Sequence, residues 1–255
     1  MPFSIALWQG IARTDDAAAA LADLRAGLTA AAAMGARFLV APELFMPGYN
    51  SARITELAQP RGGDWHQALA ALCREAGCGL VLGYAERAGD TVYNSAVAFD
   101  ATGQEVAHYR KTQLFGPREK AIFAPGDSLC IFEAEGRRAA ILICYDVEFA
   151  PLLRELALQG VQLLLVPTAN PEPNIHVSRL VVPAHAINHG LTICYANYAG
   201  REGDLAYCGG STIVAPDGAI LAFSGPAPAL LIADLSYQPD PALLQTQLAD
   251  YRRVR

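Results

Sequence analysis

The sequence predicts a mixed fold, α/β or α+β, in one domain over residues 1–255. Three features lead there. Apolar runs of strand length alternate with Ala- and Leu-rich helical stretches. Hairpins interrupt that alternation, so the sheets cannot be purely parallel. The chain has 255 residues, 53% hydrophobic and 17% charged, enough to bury a large core without staples.

The elements follow in order. "FSIALWQ" (3–9) reads as a buried strand, and residues 15–34, acidic at the front and rich in Ala and Leu, as a long helix. "RFLVAPE" (37–43) is the next strand, and the Pro and Gly of "LFMPGYN" (44–50) make a loop. A helix over 64–76 precedes the strand 79–86, and "GYAERAGD" (83–90) has a turn composition. Residues 92–100 and 104–109 form a hairpin across "ATG", and "SLCIFEA" and "RRAAILIC" a second one around "EGR". A helix near 149–159, the strand 161–167, a helix near 175–189 and the strand 191–197 follow. "STIVAPDGAILAF" (211–223) turns at Pro-Asp-Gly, 229–235 is a last strand, and 239–250 is a closing helix.

Composition removes several functions. The net charge is −6, and the basic residues form no stripe, so nucleic acid is not expected as a partner. No apolar run reaches the roughly 18 residues that span a bilayer, and "MPFSIALWQG" lacks the basic start of a secretory signal. The six cysteines then read as reduced thiols of a cytoplasmic protein. "HAINH" (185–189) lacks the glutamate of a zinc protease helix, "CREAGC" (73–78) lacks a second ligand pair, and "GGSTI" (209–213) is not a serine elbow.

Three polar residues stand at predicted strand ends. Glu43 closes "FLVAPE", where a carboxylate is costly unless it is paired or used. Lys111 follows "QEVAHY", and Cys144 ends "AAILIC". Each has an ordinary explanation: a structural salt bridge, a solvated loop lysine, an inert buried thiol. Together they make a workable site. A cysteine needs a positive charge to favour its thiolate, which Lys111 offers, and a proton carrier, which Glu43 offers. Open sheets gather such groups at the carboxyl ends of their strands.

In this arrangement the sequence resembles the nitrilase superfamily, the carbon–nitrogen hydrolases. "APELFMPGY" (41–49), "YRKTQLFG" (109–116) and "ILICYDVEF" (141–149) carry the resemblance, with 68 residues from Glu43 to Lys111 and 33 more to Cys144. "NSA" (94–96), "FAPGD" (123–127), "VPTAN" (166–170) and "GGSTIVAPDG" (209–218) extend it over nearly the whole chain. The resemblance implies a four-layer α-β-β-α sandwich, a triad of Glu43, Lys111 and Cys144, and a second glutamate at Glu119. It implies no metal or organic cofactor, and a homodimer built on helices matching 149–159 and 175–189 with the C-terminal segment.

The chemistry so implied is acyl transfer through a thioester, with Lys111 and the backbone N–H of Tyr145 facing the oxyanion. Tyr145 and Asp146 after the cysteine look like the amidase and carbamoylase branches, and Val147 and Glu148 stand where carbamoyl hydrolases often carry arginine. Gln113 departs from the frequent Lys-x-His-Leu-Phe pattern. A small primary amide is therefore the expected substrate, with Tyr49, Asn50 and Asn170 as pocket residues or plain turn residues. N-carbamoyl amino acid or nitrile hydrolysis by the same triad remains an alternative, as does a non-catalytic binding protein on this fold.

Overall fold

The computed structural model describes residues 3–252. Its first sheet is built from β1 (Ser4–Gln9), β2 (Ala36–Val40), β3 (Gly79–Ala88), β4 (Thr91–Phe99) and β5 (Glu105–Arg110). Three helices accompany them: α1 (Ala17–Ala33), α2 (Ile54–Leu57) and α3 (Asp64–Ala76). After α4 (Gly116–Ile122) comes the second sheet, with β6 (Ile131–Ala134), β7 (Arg137–Ile141), β8 (Leu163–Pro167) and β9 (Thr192–Ala196). α5 (Ala150–Leu158) and α6 (Val182–His189) lie between those strands. A two-residue ladder of β10 (Arg201–Glu202) and β11 (Leu205–Ala206) precedes β12 (Thr212–Val214) and β13 (Ile220–Phe223), which complete the second sheet. β14 (Ala229–Asp234) returns to the first, and α7 (Gln247–Asp250) follows.

The strand orders are β14-β1-β2-β3-β4-β5 and β13-β12-β9-β8-β7-β6. In each sheet two parallel pairs, β1-β2-β3 or β7-β8-β9, are crossed over by helices, and the flanking pairs are antiparallel. In the central strands of the first sheet, β1, β2 and β3, apolar side chains alternate between the two faces. Ile5, Leu7, Phe38, Val40 and Val81 point to the other sheet, while Ala6, Leu39, Leu80 and Leu82 meet Leu24 and Leu28 of α1 and Leu69 of α3. That is why they read as unbroken hydrophobic runs. On the second sheet, Leu153 and Leu156 of α5 and Val182 and Ala186 of α6 cover the outer side. The result is the expected four-layer α-β-β-α sandwich.

Local signals fix the ends. Asp16 caps α1, its Oδ1 accepting from the Ala19 N–H at 2.9 Å. The "EGR" hairpin turns with Glu135 at φ 51° and Gly136 at φ 78°, the left-handed pair a two-residue turn demands.

Several elements differ from expectation. The strand expected to reach Glu43 stops at Val40, because Pro42 and a left-handed Leu44 (φ 45°) break the ladder. "GYAERAGD" is no turn: β3 runs on to Ala88, since Glu86 is buried and bonded at its far end, and only Gly89 and Asp90 turn. The helix near 175–189 is a wide π turn over Val177–Val181 followed by α6. The closing helix 239–250 shrinks to the four residues of α7, because Leu243 and Leu244 stay exposed and bury no apolar face. The helices α2 and α4 had no clear sequence signal.

Candidate active site

The carboxyl ends of the parallel strands converge with the end of β5. Glu43 lies three residues beyond β2, and Lys111 directly follows β5. The Lys111 N–H bonds the Asn94 carbonyl at 2.8 Å, which extends the β4–β5 ladder by one step and fixes the side chain's origin. Glu43 is held against β3: Gly83 N–H donates to the Pro42 carbonyl (3.0 Å), and Phe45 N–H donates to the Gly83 carbonyl (2.8 Å). Only glycine permits this approach, since a Cβ at position 83 would stand 2.4 Å from Leu44 N and 2.6 Å from Glu43 Cα.

The Lys111 ammonium, fully buried, donates to Glu43 Oε1 at 2.6 Å and to Glu119 Oε1 at 2.9 Å. Asn94 Nδ2 also donates to Glu43 Oε1 (2.7 Å). Glu119, on α4, accepts in addition from the Tyr49 hydroxyl (2.8 Å) and the Phe115 N–H (2.9 Å). Glu43 Oε2 is buried and, among the described residues, has no hydrogen-bond partner. One oxygen of this carboxylate is thus locked and the other is left over.

Cys144 begins a 3₁₀ turn, Cys144–Glu148, at φ 46°, a left-handed conformation uncommon for a non-glycine residue. Sequence reasoning gave no structural role to the group that holds this turn, Asp146. Its buried carboxylate accepts from the Ile143 N–H (3.0 Å) at the cysteine and from the Gln113 N–H (2.7 Å) beyond the lysine. The hydroxyls of Tyr109 (2.9 Å) and Thr112 (3.0 Å) complete the set. One side chain ties the nucleophile's turn to the lysine's loop across the two sheets.

The electrostatics follow from burial. Burial would lower Lys111, but Glu43, Cys144 and Glu119 hold it well above the ordinary lysine value, so it stays charged. Burial raises Glu43, with Lys111 and Asn94 opposing. Burial and then the Glu43 carboxylate push the Cys144 thiol up further than Lys111 and the Ala169 backbone N–H pull it down. Two carboxylates around one ammonium already leave a net negative charge, so a free thiolate would add a second. A proton passed from the thiol to Glu43 keeps that balance.

A cavity of about 80 Å³ opens on Cys144, with Tyr49, Tyr145, Asn170, Glu148 and His176 in its wall. The Tyr145 ring packs edge-on against Phe115 and Phe149. Asn170 is pinned by Asn174, whose carbonyl accepts from its amide (2.9 Å), and by Asn197 Oδ1, which accepts from its N–H (2.8 Å). Asn50 is elsewhere: its amide donates to the Glu202 carbonyl (2.9 Å) and Asp204 Oδ1 (2.8 Å), away from the cavity wall. Asn94 showed in the sequence only as the start of the minor match "NSA", and Asn197 carried no signal, because their partners lie far away in the chain.

The chain is similar to known proteins over most of its length. The carbon-nitrogen hydrolase family model matches residues 2–238. A hydrolase of the pqqF 5′ region of Pseudomonas protegens is 40% identical over 238 residues, 92% of this chain and 83% of its own. An (R)-stereoselective amidase of Pseudomonas sp. is 34% identical, over 73% of this chain and 68% of its own. The crystal structure of an amidase from Nesterenkonia sp. superposes with TM-score 0.90 at 36% identity, covering 98% of this chain and 93% of that one. A variant of that amidase lacking the cysteine has been solved with butyramide (TM-score 0.90, 36% identity, 98% and 94% covered).

Proposed function

The chain belongs to the carbon-nitrogen hydrolase family, and on that premise we propose that it hydrolyses a small primary amide to a carboxylic acid and ammonia. The reaction runs through a thioester on Cys144. The observation that carries this reading is Glu43, whose Oε1 is locked by Lys111 and Asn94 while its buried Oε2 has no partner among the described residues. Such an atom suits a proton carrier.

The Cys144 sulfur attacks the amide carbon as its proton passes to Glu43. Lys111, which keeps one of its three N–H donors beyond the two carboxylates, faces the oxyanion together with the Tyr145 N–H. Tyr145 is in the first turn of the 3₁₀ segment, where backbone N–H groups lack an intrahelical acceptor. Glu43 then protonates the amide nitrogen and ammonia leaves. Water attacks the thioester, its proton goes to Glu43, and the sulfur departs and is reprotonated. Glu119 positions Lys111, and Tyr49 and Asn170 line the acyl side. Asn50 acts by holding the loop of Tyr49 to the β10–β11 ladder.

The reading takes the enzyme as one cytoplasmic catalytic domain, and its six unpaired thiols suit a reducing compartment. Among the described residues no helix is long and apolar enough to cross a membrane. Leu158 at the end of α5, Leu180 before α6 and Tyr251 after α7 are all more than half exposed, which favours a homodimer through that face; light scattering gives the mass. Ammonia release from primary amides, nitriles and N-carbamoyl amino acids, with Cys144→Ala as the blank, tests the activity. Release from amides alone, lost in the variant, is expected. Equal release from the Cys144→Ala protein defeats the reading.

A further inference from the structure

We infer, resting on the amidase reading, that Glu148 selects primary amides that carry a positive charge on a short chain. Besides Cys144 and the tyrosines, the ionisable side chains on the cavity wall are Glu148 and His176, and among the described residues no lysine or arginine lines it. The two nearby cations are committed elsewhere. Lys111 lies between Glu43 and Glu119, and Arg118 donates to the carbonyls of Tyr49 (2.8 Å) and Ser51 (3.1 Å).

Glu148 ends the 3₁₀ turn that Cys144 begins. Glu148 is exposed where it borders the cavity, and among the described residues its carboxylate makes no hydrogen bond or salt bridge, so it is free to meet a ligand. Partial desolvation raises it, with His176 and then Lys111 opposing. Glu43 and Glu119 outweigh Lys111 by one negative charge, and Glu148 adds another at the mouth. A carboxylate substrate meets like charge at both ends of the cavity. An ammonium group meets an unpartnered carboxylate, with the aromatic ring of Tyr145 beside it. The small cavity limits the chain joining amide and ammonium to a few carbons.

The test is kcat/KM for three amides of matched length: 3-aminopropanamide (cationic), butyramide (neutral) and malonamate (anionic). Wild-type enzyme should rank them in that order. Glu148→Gln should lower the ratio of 3-aminopropanamide to butyramide about tenfold, and Glu148→Arg should invert the ratio of 3-aminopropanamide to malonamate. Identical ratios in all three proteins, with butyramide hydrolysed, would overturn this inference and leave the amidase reading standing. A wild-type preference for malonamate overturns it as well. No hydrolysis of any of the three overturns both.

Discussion

Replacing Asp146 by Asn tests the clamp between the nucleophile and the lysine. The carboxylate accepts two backbone N–H groups and two hydroxyls at 2.7–3.0 Å. An amide of the same shape can turn its oxygen to only one side. A hydroxyl can rotate and accept from the new NH₂ group, but a backbone N–H cannot. Either Ile143 N–H or Gln113 N–H is therefore left buried without an acceptor, at about 1–3 kcal/mol. The remaining bonds lose charge assistance, roughly another 1 kcal/mol. Relief of the buried charge, which burial already opposes at Asp146, gives part of this back. The net loss is about 2–3 kcal/mol, or roughly 5–10 °C in Tm for a chain of this size. Displacing the Cys144 turn should also cost about 100-fold in kcat/KM. Urea titration and ammonia release measure the two. Stability within about 0.5 kcal/mol of wild type, together with kcat/KM within twofold, would refute the clamp.

Glu43→Gln removes the carboxylate that raises the Cys144 thiol, so half-maximal alkylation by iodoacetamide should move to lower pH while amide hydrolysis falls at least about 100-fold for want of a proton carrier; mass spectrometry against pH reads the first, and an unmoved or higher midpoint contradicts the charge balance. Gly83→Ala drives a methyl into the Glu43 backbone and should cost about 3 kcal/mol or more, with activity falling together with stability; full activity at wild-type Tm rules out the close approach. Glu86 is buried on β3, and burial alone would raise it, but hydrogen bonds from Arg110, His108 and Ser95 hold it below the usual carboxylate range. Its folded value is depressed, so its contribution is present above the ordinary glutamate range and is lost as pH falls through the acid range. Arg110→Met should cost about 2 kcal/mol at pH 7, discounted because the guanidinium is partly exposed. The variant should also lose less Tm than wild type between pH 5 and pH 3, and equal losses tell against the pairing.

The sheets were legible because central strands such as β1, β2, β8 and β9 are apolar on both faces, and the hairpins because Gly136 and Gly218 demand positive φ. Glu43, Lys111 and Cys144 stood out as polar residues at the ends of apolar runs. Asn94 did not, since its meaning lies in a carboxylate 51 residues earlier in the chain. Asp146 was visible as the point where the chain turns polar and as part of the branch pattern after the cysteine, but not as a clamp; its four donors come from β5, the lysine loop and its own turn. Asn50 and Asn170 looked alike in sequence, and only three-dimensional packing puts one on the cavity and the other on the β10–β11 ladder. The closing helix misled because good helix formers with no surface to cover do not hold a helix.

β14 pairs antiparallel with β1, Ser4 opposite Asp234, and Gln9 reaches across to Ser224, Gly225 and Ala227. β1 is therefore completed by a strand more than 200 residues later in the chain. Until residues 229–234 emerge, β1 keeps an open edge of unpaired amides beside a hydrophobic face. Closing so long a loop is slow, and a chain waiting to close it is prone to self-association. Truncation before β14 should accordingly yield aggregates during synthesis rather than a smaller, soluble enzyme, and the yield of intact protein should rise when translation or temperature gives that edge time to be covered.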